Sequence, residues 1–524
     1  MIWSRLPHRL DQRLVLVVLL SIFAFAPLTR PGYFVSHSGF LPVFNLYELE
    51  DALWGNWGWL PRLATGHDVL SGDGALPYLL AEALRWLGLN GPQAIKAVYV
   101  LGFVASGLGM YLLGKRLLGA TGALLAAVVY MYLPFHLATV YVRGAFAEAW
   151  AFALYPLALL CWERYVSTSK ALWAALAVIV FCALASTTMG LALIFALLMA
   201  AYALVAGPSR QLKIRALLAL ALAVSLGVLL QVPALLRYGL PASHQGDFLQ
   251  HGVYPFQLLS AAWGFGTSVP GWEDTLPLQL GLAATGLSLV TIVLLTRPGE
   301  VNPTLLRLLG FLGAVALICV LLVTPAAVLL WRASRLWLFL LYPWQLLAFV
   351  GLATSLLAGA VVCLAPKLGR LPWQAVLVTL VVVSSYGYLS PQFTDLEVGG
   401  SPVAELGEQV LLLGYRLEGP LRHGATISLT LYWQGLVPMN TDYMVFAHAV
   451  DSEGTIWAQC DSMPKGGERP TSTWTPGEII ADECQMTIEV EGPREGYTVQ
   501  LGLYDPDTGV RLSSSDGGSA VVIP

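Results

Sequence analysis

The chain has 524 residues, of which 57% are hydrophobic and 11% are charged, and its net charge is −4. Soluble domains carry roughly 25% charged residues, so this composition excludes an ordinary soluble protein, and the negative charge argues against a nucleic-acid-binding one. Apolar runs, each long enough to span a bilayer, recur from residue 14 to residue 389. The sequence therefore predicts an α-helical polytopic membrane protein.

We expect about eleven transmembrane helices, near residues 14–29, 94–113, 119–135, 148–162, 171–186, 190–206, 216–235, 278–296, 308–331, 341–364 and 372–389. Alternate connections are rich in Lys and Arg, and the positive-inside rule places these in the cytoplasm. The N-terminus is then cytoplasmic, and an odd number of spans places the C-terminal part outside. The first span resembles a signal peptide but lacks a small-residue cleavage site, so an uncleaved anchor is expected.

A change in charge divides the chain into two parts. Residues 390–524 contain 19 Asp and Glu against 6 Lys and Arg, whereas residues 1–389 contain 13 against 22. We interpret residues 1–389 as a transmembrane body and residues 390–524 as an extracytoplasmic domain. Two long outside loops, residues 30–93 and 236–277, interrupt the body, and long loops on one side of a scaffold usually carry function.

The first outside loop holds the best candidates for a general base, which are Glu48, Glu50, Asp51, Asp68 and Asp73. A carboxylate in an exposed loop is more often simply solvated, so each candidate alone is weak. Glu48 and Asp51 lie in a stretch typical of an amphipathic interfacial helix. Glu273 and Asp274, in the second long loop, are weaker candidates.

The segment from Tyr141 to Glu148 reads Tyr-Val-Arg-Gly-Ala-Phe-Ala-Glu, and charges near membrane depth are usually functional. Arg143 and Glu148 are five residues apart and cannot share one helix face. We therefore place Arg143 and Gly144 in a loop and Glu148 in the first turn of the next span, where an acid suits the helix dipole. Arg143, the helix N-terminus and His136 can together hold a pyrophosphate or lipid phosphate. The alternative is an interfacial anchor arginine with a dipole-matched glutamate.

Arg332 and Arg335, at the outer end of the ninth span, allow the same two interpretations, which are binding of lipid phosphate or simple anchoring. No Cys or His spacing indicates a zinc site, so no metal ligand is assigned. The sequence contains no P-loop, no dinucleotide fingerprint and no nucleophile elbow.

The C-terminal part alternates apolar and polar residues in two clear segments, residues 426–433 and 497–504, separated from others by Gly- and Pro-containing turns. About seven or eight short strands would fit a β-sandwich. It is either a binding module, with sugars as one option, or an inert sandwich. Cys460 and Cys484 are its two cysteines, and an outside location permits a disulfide between them.

The chain resembles bacterial multi-pass membrane proteins named as related to 6-pyruvoyl-tetrahydropterin synthase, which are similar to type C glycosyltransferases and dolichyl-phosphate-mannose-protein mannosyltransferases. The body segments that carry this resemblance are Leu46-Tyr-Glu-Leu-Glu-Asp-Ala-Leu, Pro77-Tyr-Leu-Leu-Ala-Glu, Leu133-Pro-Phe-His-Leu, the Tyr141–Glu148 segment and Leu341-Tyr-Pro-Trp-Gln-Leu-Leu. The tail adds Leu431-Tyr-Trp-Gln, Arg469-Pro-Thr-Ser-Thr-Trp-Thr-Pro-Gly-Glu and Gly502-Leu-Tyr-Asp-Pro.

The resemblance implies transfer of a sugar from a polyprenyl-phosphate donor to an acceptor on the extracytoplasmic face. A carboxylate of the first outside loop would act as the base, and cationic side chains would stabilise the departing phosphate. Membrane lipids and the donor lipid are the implied partners, and participation of a divalent metal stays open.

Several positions depart from the family pattern. Ser38 occupies the position of the expected catalytic Asp, and Gln345 that of an arginine after Pro-Trp. Residues 186–188 read Ser-Thr-Thr, where Ser-His-Asn is common. These changes suit a divergent enzyme in which Asp68 or Asp73 supplies the base. They equally suit a catalytically silent paralogue that serves as an accessory or scaffold subunit of a membrane protein complex. A transporter is a weaker possibility, because no inverted repeat is apparent.

Overall fold

A computed structural model describes residues 11–55, 74–238, 245–265, 268–297, 301–334, 336–394, 402–474, 479–514 and 517–523. The chain forms two compact units. The first consists of residues 1–31 and 48–392, and the second of residues 32–47 and 393–524.

The first unit is helical. Its helices, together with α2, whose first residues belong to the second unit, are α1 (Gln12–Phe25), α2 (Leu41–Gly55), α3 (Ala75–Trp86), α4 (Gly91–Met131), α5 (Pro134–Tyr141), α6 (Phe146–Thr168), α7 (Ala171–Ala185), α8 (Met189–Ala206), α9 (Arg210–Tyr238), α10 (Gln245–Gln250), α11 (Pro255–Leu259), α12 (Leu282–Leu295), α13 (Pro303–Val323), α14 (Val328–Ser334), α15 (Leu347–Leu364) and α16 (Leu371–Ser385).

Within the described ranges, seven helical segments are long and apolar enough to cross a membrane, and two further apolar helices, α7 and α12, are shorter. The seven are Gln12–Thr29, Gly91–Met131, Met189–Ala206, Arg210–Val232, Pro303–Val323, Pro343–Leu364 and Leu371–Tyr388. Each predicted span overlaps a helix, and the polytopic helical fold is confirmed. The total of eleven crossings stays a prediction.

Helix α4 contains a break that separates two of the predicted spans. Gly119 has φ 78° and ψ 169°, a conformation that glycine adopts without the steric penalty a side chain would bring. The two halves of α4 match the spans expected at residues 94–113 and 119–135, so an apparent helix of 41 residues accounts for both.

Close contacts between small residues bring helices of this unit together. A Cβ on Gly122 would lie 2.9 Å from the carbonyl oxygen of Gly359 on α15. A Cβ on Gly109 would lie 3.1 Å from Leu157 of α6. Small residues at such crossings let backbones approach closely, which is how packing contributes most where apolar burial from water is unavailable.

Two carboxylates pair with the basic residues that precede the break in α4. Asp11 caps α1 and accepts hydrogen bonds from Tyr111 and Lys115, each with a donor–acceptor distance of 2.6 Å. These bonds from Lys115 and Tyr111 lower the pKa of Asp11 to about 2. Arg116 pairs with Glu163 of α6 over 3.1 Å. The sequence predicts this edge to be cytoplasmic.

The second unit consists mainly of antiparallel β structure, as the alternating pattern predicted. Its strands are β1 (Tyr33–Phe34), β2 (Phe393–Thr394), β3 (Ala404–Leu406), β4 (Val410–Glu418), β5 (Thr426–Gly435), β6 (Met444–Val450), β7 (Ile456–Ser462), β8 (Ile479–Thr487), β9 (Thr498–Tyr504) and β10 (Val521–Ile523). Two four-stranded sheets, ordered β10-β9-β6-β7 and β3-β4-β5-β8, share one hydrophobic core, and a disulfide joins Cys460 of β7 to Cys484 of β8.

The start of the first outside loop belongs to this β unit. Strand β1 pairs with β2, with Tyr33 opposite Thr394. The backbone N–H of Phe40 donates to Oε1 of Gln434 over 3.1 Å. Gly39 has φ 49°, and a side chain there would collide with Gln434. The turn around Ser38 is thus anchored on β5.

Candidate functional site

The site is built around the turn between α5 and α6. Gly144 has φ 62°, which suits glycine, and its carbonyl accepts a 2.7 Å hydrogen bond from Tyr99. The N–H groups of Arg143 and Ala145 bond back to carbonyls of α5. Because of this reversal, Arg143 sits in the turn and Glu148 in the first turn of α6, as the sequence predicted.

Arg143 and Glu148 form a bidentate ion pair that their spacing alone did not predict. Nη1 of Arg143 lies 2.5 Å from Oε2 of Glu148, and Nη2 lies 2.9 Å from Oε1. The side chains are only 13% and 14% exposed. Two parallel hydrogen bonds of this kind hold both side chains in one relative orientation as well as pairing their charges. The left-handed turn at Gly144 folds the arginine back over the helix start, which five helical residues could not do.

Gln345 completes the coordination of the glutamate. Its Nε2 donates to Oε1 of Glu148 over 2.6 Å, and its Oε1 accepts from the backbone N–H groups of Leu341 and Tyr342 at 3.0 and 3.2 Å. An arginine at this position would place a second cation beside Arg143. With glutamine, the charges of Arg143 and Glu148 balance each other.

Trp344 connects this pair to the second long loop. The guanidinium carbon of Arg143 lies 4.5 Å from the Trp344 ring centre, within cation–π range. Nε1 of Trp344 donates to Oγ of Ser268 over 3.1 Å, and Oγ of Ser268 donates to Oδ2 of Asp274 over 2.7 Å. We call these six residues, Arg143, Glu148, Gln345, Trp344, Ser268 and Asp274, the Arg143 cluster.

Asp274 is the candidate that sequence reasoning undervalued. Besides Ser268, it accepts a 2.8 Å hydrogen bond at Oδ1 from the N–H of Leu276. Burial raises its pKa above the ordinary aspartate value, a perturbation that is common at functional sites. In the sequence, the only sign of a role for Asp274 was its position in a long loop that contains Trp and Gly. The neighbouring Glu273, in contrast to Asp274, is exposed.

His136 lies elsewhere in the core. Its ring is 1% exposed, its Nδ1 is 3.2 Å from the Tyr130 carbonyl oxygen, and it stacks on Phe152 at 4.2 Å between ring centres. Its contacts with Tyr130, Phe103 and Phe152 place it in an aromatic packing site within the described core. The phosphate contact proposed for His136 therefore gains no support from this position.

The remaining predicted residues are one described arginine and several residues outside the described part of the chain. Arg332 is exposed on α14, whereas Asp68, Asp73 and Arg335 lie outside the described residues. Glu48 and Asp51 belong to α2, but their side chains also fall outside the described part. Among the described residues, no group of three or more His, Cys, Asp or Glu side chains forms a metal site.

The Ser-Thr-Thr segment after α7 contacts the N-terminal end of α3. The N–H groups of Gly74 and Ala75 both donate to the Ser186 carbonyl, at 3.0 and 3.1 Å. A Cβ on Gly74 would lie 3.6 Å from that of Ala147, the residue before Glu148. Gly74, within the first outside loop, therefore lies close to the start of α6.

No family model and no curated protein matches this chain. Among solved structures it is similar to the arabinofuranosyltransferase AftD from mycobacteria, with 17% identity and a TM-score of 0.47 over 74% of this chain and 27% of that one. It is also similar to an Archaeoglobus fulgidus oligosaccharyltransferase tethered with an acceptor peptide, with 13% identity and a TM-score of 0.39 over 72% of this chain and 54% of the other.

A third similar structure is the A. fulgidus oligosaccharyltransferase AglB in complex with an inhibitory peptide and a dolichol-phosphate, with 16% identity and a TM-score of 0.35 over 72% of this chain and 55% of that one. This chain thus spans between about a quarter and just over half of the length of these proteins.

Proposed function

We propose that this membrane protein is a glycosyltransferase that moves a sugar from a polyprenyl-phosphate donor to an acceptor on the extracytoplasmic face. In this proposal residues 1–389 form the membrane body, the N-terminus is cytoplasmic and residues 390–524 are extracytoplasmic. The observation that carries it is the pairing of Arg143 with Glu148 at the N-terminus of α6, stacked on Trp344.

The chemistry of these groups suits a departing phosphate. The first turn of α6 presents the positive end of a helix of 23 residues, and its N-cap residue, Ala145, supplies no side-chain acceptor. Backbone N–H groups and a guanidinium together form an anion site. Since Glu148 balances the charge of Arg143 in this state, a donor phosphate would displace or share that carboxylate. Arg332 is retained as a second candidate contact for lipid phosphate.

The general base expected in the first outside loop stays a proposal. Asp68 and Asp73 are the leading candidates, and Glu48 and Asp51 follow.

A second function, that of a catalytically silent accessory or scaffold subunit, is favoured by three observations. Glu148 already satisfies Arg143 electrostatically, and Gln345 stands where an arginine was expected. The Ser38 turn is bound to Gln434 in the β unit, so it has a structural role. In this alternative the β unit would be a docking surface for protein partners.

The experiment is a transfer assay with the purified full chain in proteoliposomes, using radiolabelled polyprenyl-phosphate sugars and envelope glycans as acceptors. Arg143→Gln should reduce the rate by about 100-fold, the effect of losing one group that stabilises developing charge. Arg307→Gln, at an exposed position of α13, is the matched control and should retain more than about a third of the rate. Absence of transfer by the folded wild type, with stoichiometric copurification of partner subunits, would instead establish the accessory role.

A further inference from the structure

His251, Ser268 and Asp274 form a hydrogen-bonded triplet in the second long loop, with Ser268 at its centre, and Trp344 adds a third contact to Ser268. The Oγ of Ser268 lies 2.7 Å from Oδ2 of Asp274, 2.8 Å from Nδ1 of His251 and 3.1 Å from Nε1 of Trp344. A hydroxyl has one proton to donate and two lone pairs, so these three partners use its full capacity. This saturation excludes Ser268 as a nucleophile in the described state.

The hydrogen-bond donors and acceptors of this triplet link the tautomer of His251 to the protonation of Asp274. The indole Nε1 of Trp344 can only donate. When Asp274 is ionised, Ser268 donates its proton to Oδ2 and must therefore accept one from Nδ1 of His251. If Nδ1 of His251 carried no proton, Ser268 would have to donate to it, and Asp274 would then have to be protonated. The hydrogen on Nδ1 thus reports an ionised Asp274.

The surroundings hold this triplet in place. The ring of His251 meets the ring of Tyr342 edge-on at 4.9 Å, and Tyr342 stacks on Trp344 at 4.8 Å and 11°. The second carboxylate oxygen of Asp274 is fixed by the N–H of Leu276. Among the described residues, the charged Arg143 lies across the Trp344 ring, and Glu148 is its ion-pair partner.

We infer that Asp274 is the group that takes the proton from the acceptor hydroxyl, with Ser268 and His251 as positioning residues that orient its carboxylate. This inference rests on the proposed glycosyl transfer, and it assigns the base to the second long loop in place of the first-loop candidates Asp68 and Asp73. Asp274 would take over the role expected at the position of Ser38, where the turn is instead hydrogen-bonded to Gln434 of the β unit.

The proposed step balances without a further reactant. A lone pair of the acceptor oxygen forms a bond to the anomeric carbon while the bond from that carbon to the lipid-phosphate oxygen breaks. The phosphate leaves with the bonding electrons beside Arg143. The hydroxyl proton passes to a remaining lone pair of the Asp274 carboxylate, which becomes neutral. Burial, which disfavours the charged form, makes that uptake easier.

The first test needs no enzymatic activity. Nitrogen-15 NMR of histidine in the full chain, at about pH 8 where an unperturbed imidazole is neutral, distinguishes a proton on Nδ1 from one on Nε2. The His251 signal is identified by its loss in His251→Gln. Wild type should carry the proton on Nδ1, and Asp274→Ala should move it to Nε2. Glu273→Ala is the matched control and should change nothing. A wild-type His251 with its proton on Nε2 would overturn the inference.

The second test separates this inference from the proposed function. If wild type transfers sugar, Asp274→Asn should lose at least about 100-fold in kcat, in line with removal of a general base. His251→Gln should change the pH profile of kcat and leave KM within about threefold, since only the orientation of the base is disturbed. If wild type is active and Asp274→Asn retains more than about a third of kcat, Asp274 is not the base. If wild type shows no transfer, the proposed function itself fails.

Discussion

Replacing Glu148 by Gln should destabilise the helical unit more than any exposed charge change. The change leaves Arg143 buried without its anion, while the glutamine is similar in size. At an effective dielectric constant of about 20 and a charge separation of about 4 Å, the pair contributes about 4 kcal/mol of Coulomb energy. Removing one partner of a buried pair costs about 3–5 kcal/mol. The side chains of Arg143 and Glu148 keep 13% and 14% exposure, so the cost falls at the lower end of this range. We therefore expect about 3 kcal/mol.

The assay is thermal unfolding of the full chain in detergent, followed by tryptophan fluorescence. At about 2 °C per kcal/mol for a large chain, Glu148→Gln should lower Tm by about 6 °C. The double variant Arg143→Met with Glu148→Met should recover most of this loss, because apolar replacement of both partners leaves no buried charge.

Lys115→Gln is the matched control, since Lys115 and Asp11 are 47% and 24% exposed in their pair, and it should cost about 1 kcal/mol or less. The reasoning is refuted if Glu148→Gln costs no more than this control. It is refuted equally if the two single replacements at Arg143 and Glu148 add up to the effect of the double one, because a real pair must show coupling.

Four further outcomes follow from the structure. Gly144→Ala forces a side chain into a left-handed turn and should cost about 1–2 kcal/mol in thermal unfolding. Gln434→Leu leaves a buried backbone N–H unpaired, so about 1–3 kcal/mol should be lost, detected as faster proteolysis around residues 32–47. Cys460→Ser with Cys484→Ser should cost about 2–4 kcal/mol, and a reductant should reproduce the effect on wild type only. The pKa of Asp274 is raised in the folded state, so its contribution to the free energy of unfolding is complete below its ordinary pKa near 3.8 and decreases as pH rises through the raised value. The stability of wild type relative to Asp274→Asn should therefore fall with rising pH, which unfolding measured at several pH values will show.

Much of the helical unit could be predicted because local hydrophobicity determines it. Runs of apolar residues fix the spans, and Gly119 marks the break within α4 that the sequence had treated as a boundary between two spans. The alternating segments at residues 426–433 and 497–504 fall within β5 and β9 for the same reason, since a period of two is a local property.

The parts that sequence reasoning missed depend on contacts between distant residues. Strand β1 pairs Tyr33 with Thr394, and no periodicity connects positions so far apart. Ser268 and Trp344 meet by a hydrogen bond across 76 positions, which is why Asp274 was rated below the acids of the first loop. The Arg143–Glu148 pair was missed for another reason: a spacing rule for helices was applied to residues that a left-handed turn at Gly144 brings together.

A structure of the full chain with a non-transferable polyprenyl-phosphate sugar bound in a lipid nanodisc tests the account most directly. The account predicts density for the phosphate within hydrogen-bond reach of the Arg143 guanidinium and the first turn of α6, with Glu148 displaced or sharing the arginine. It also predicts Asp274 on the acceptor side of the sugar. A donor phosphate bound elsewhere, with the Arg143–Glu148 pair unchanged, would contradict the account.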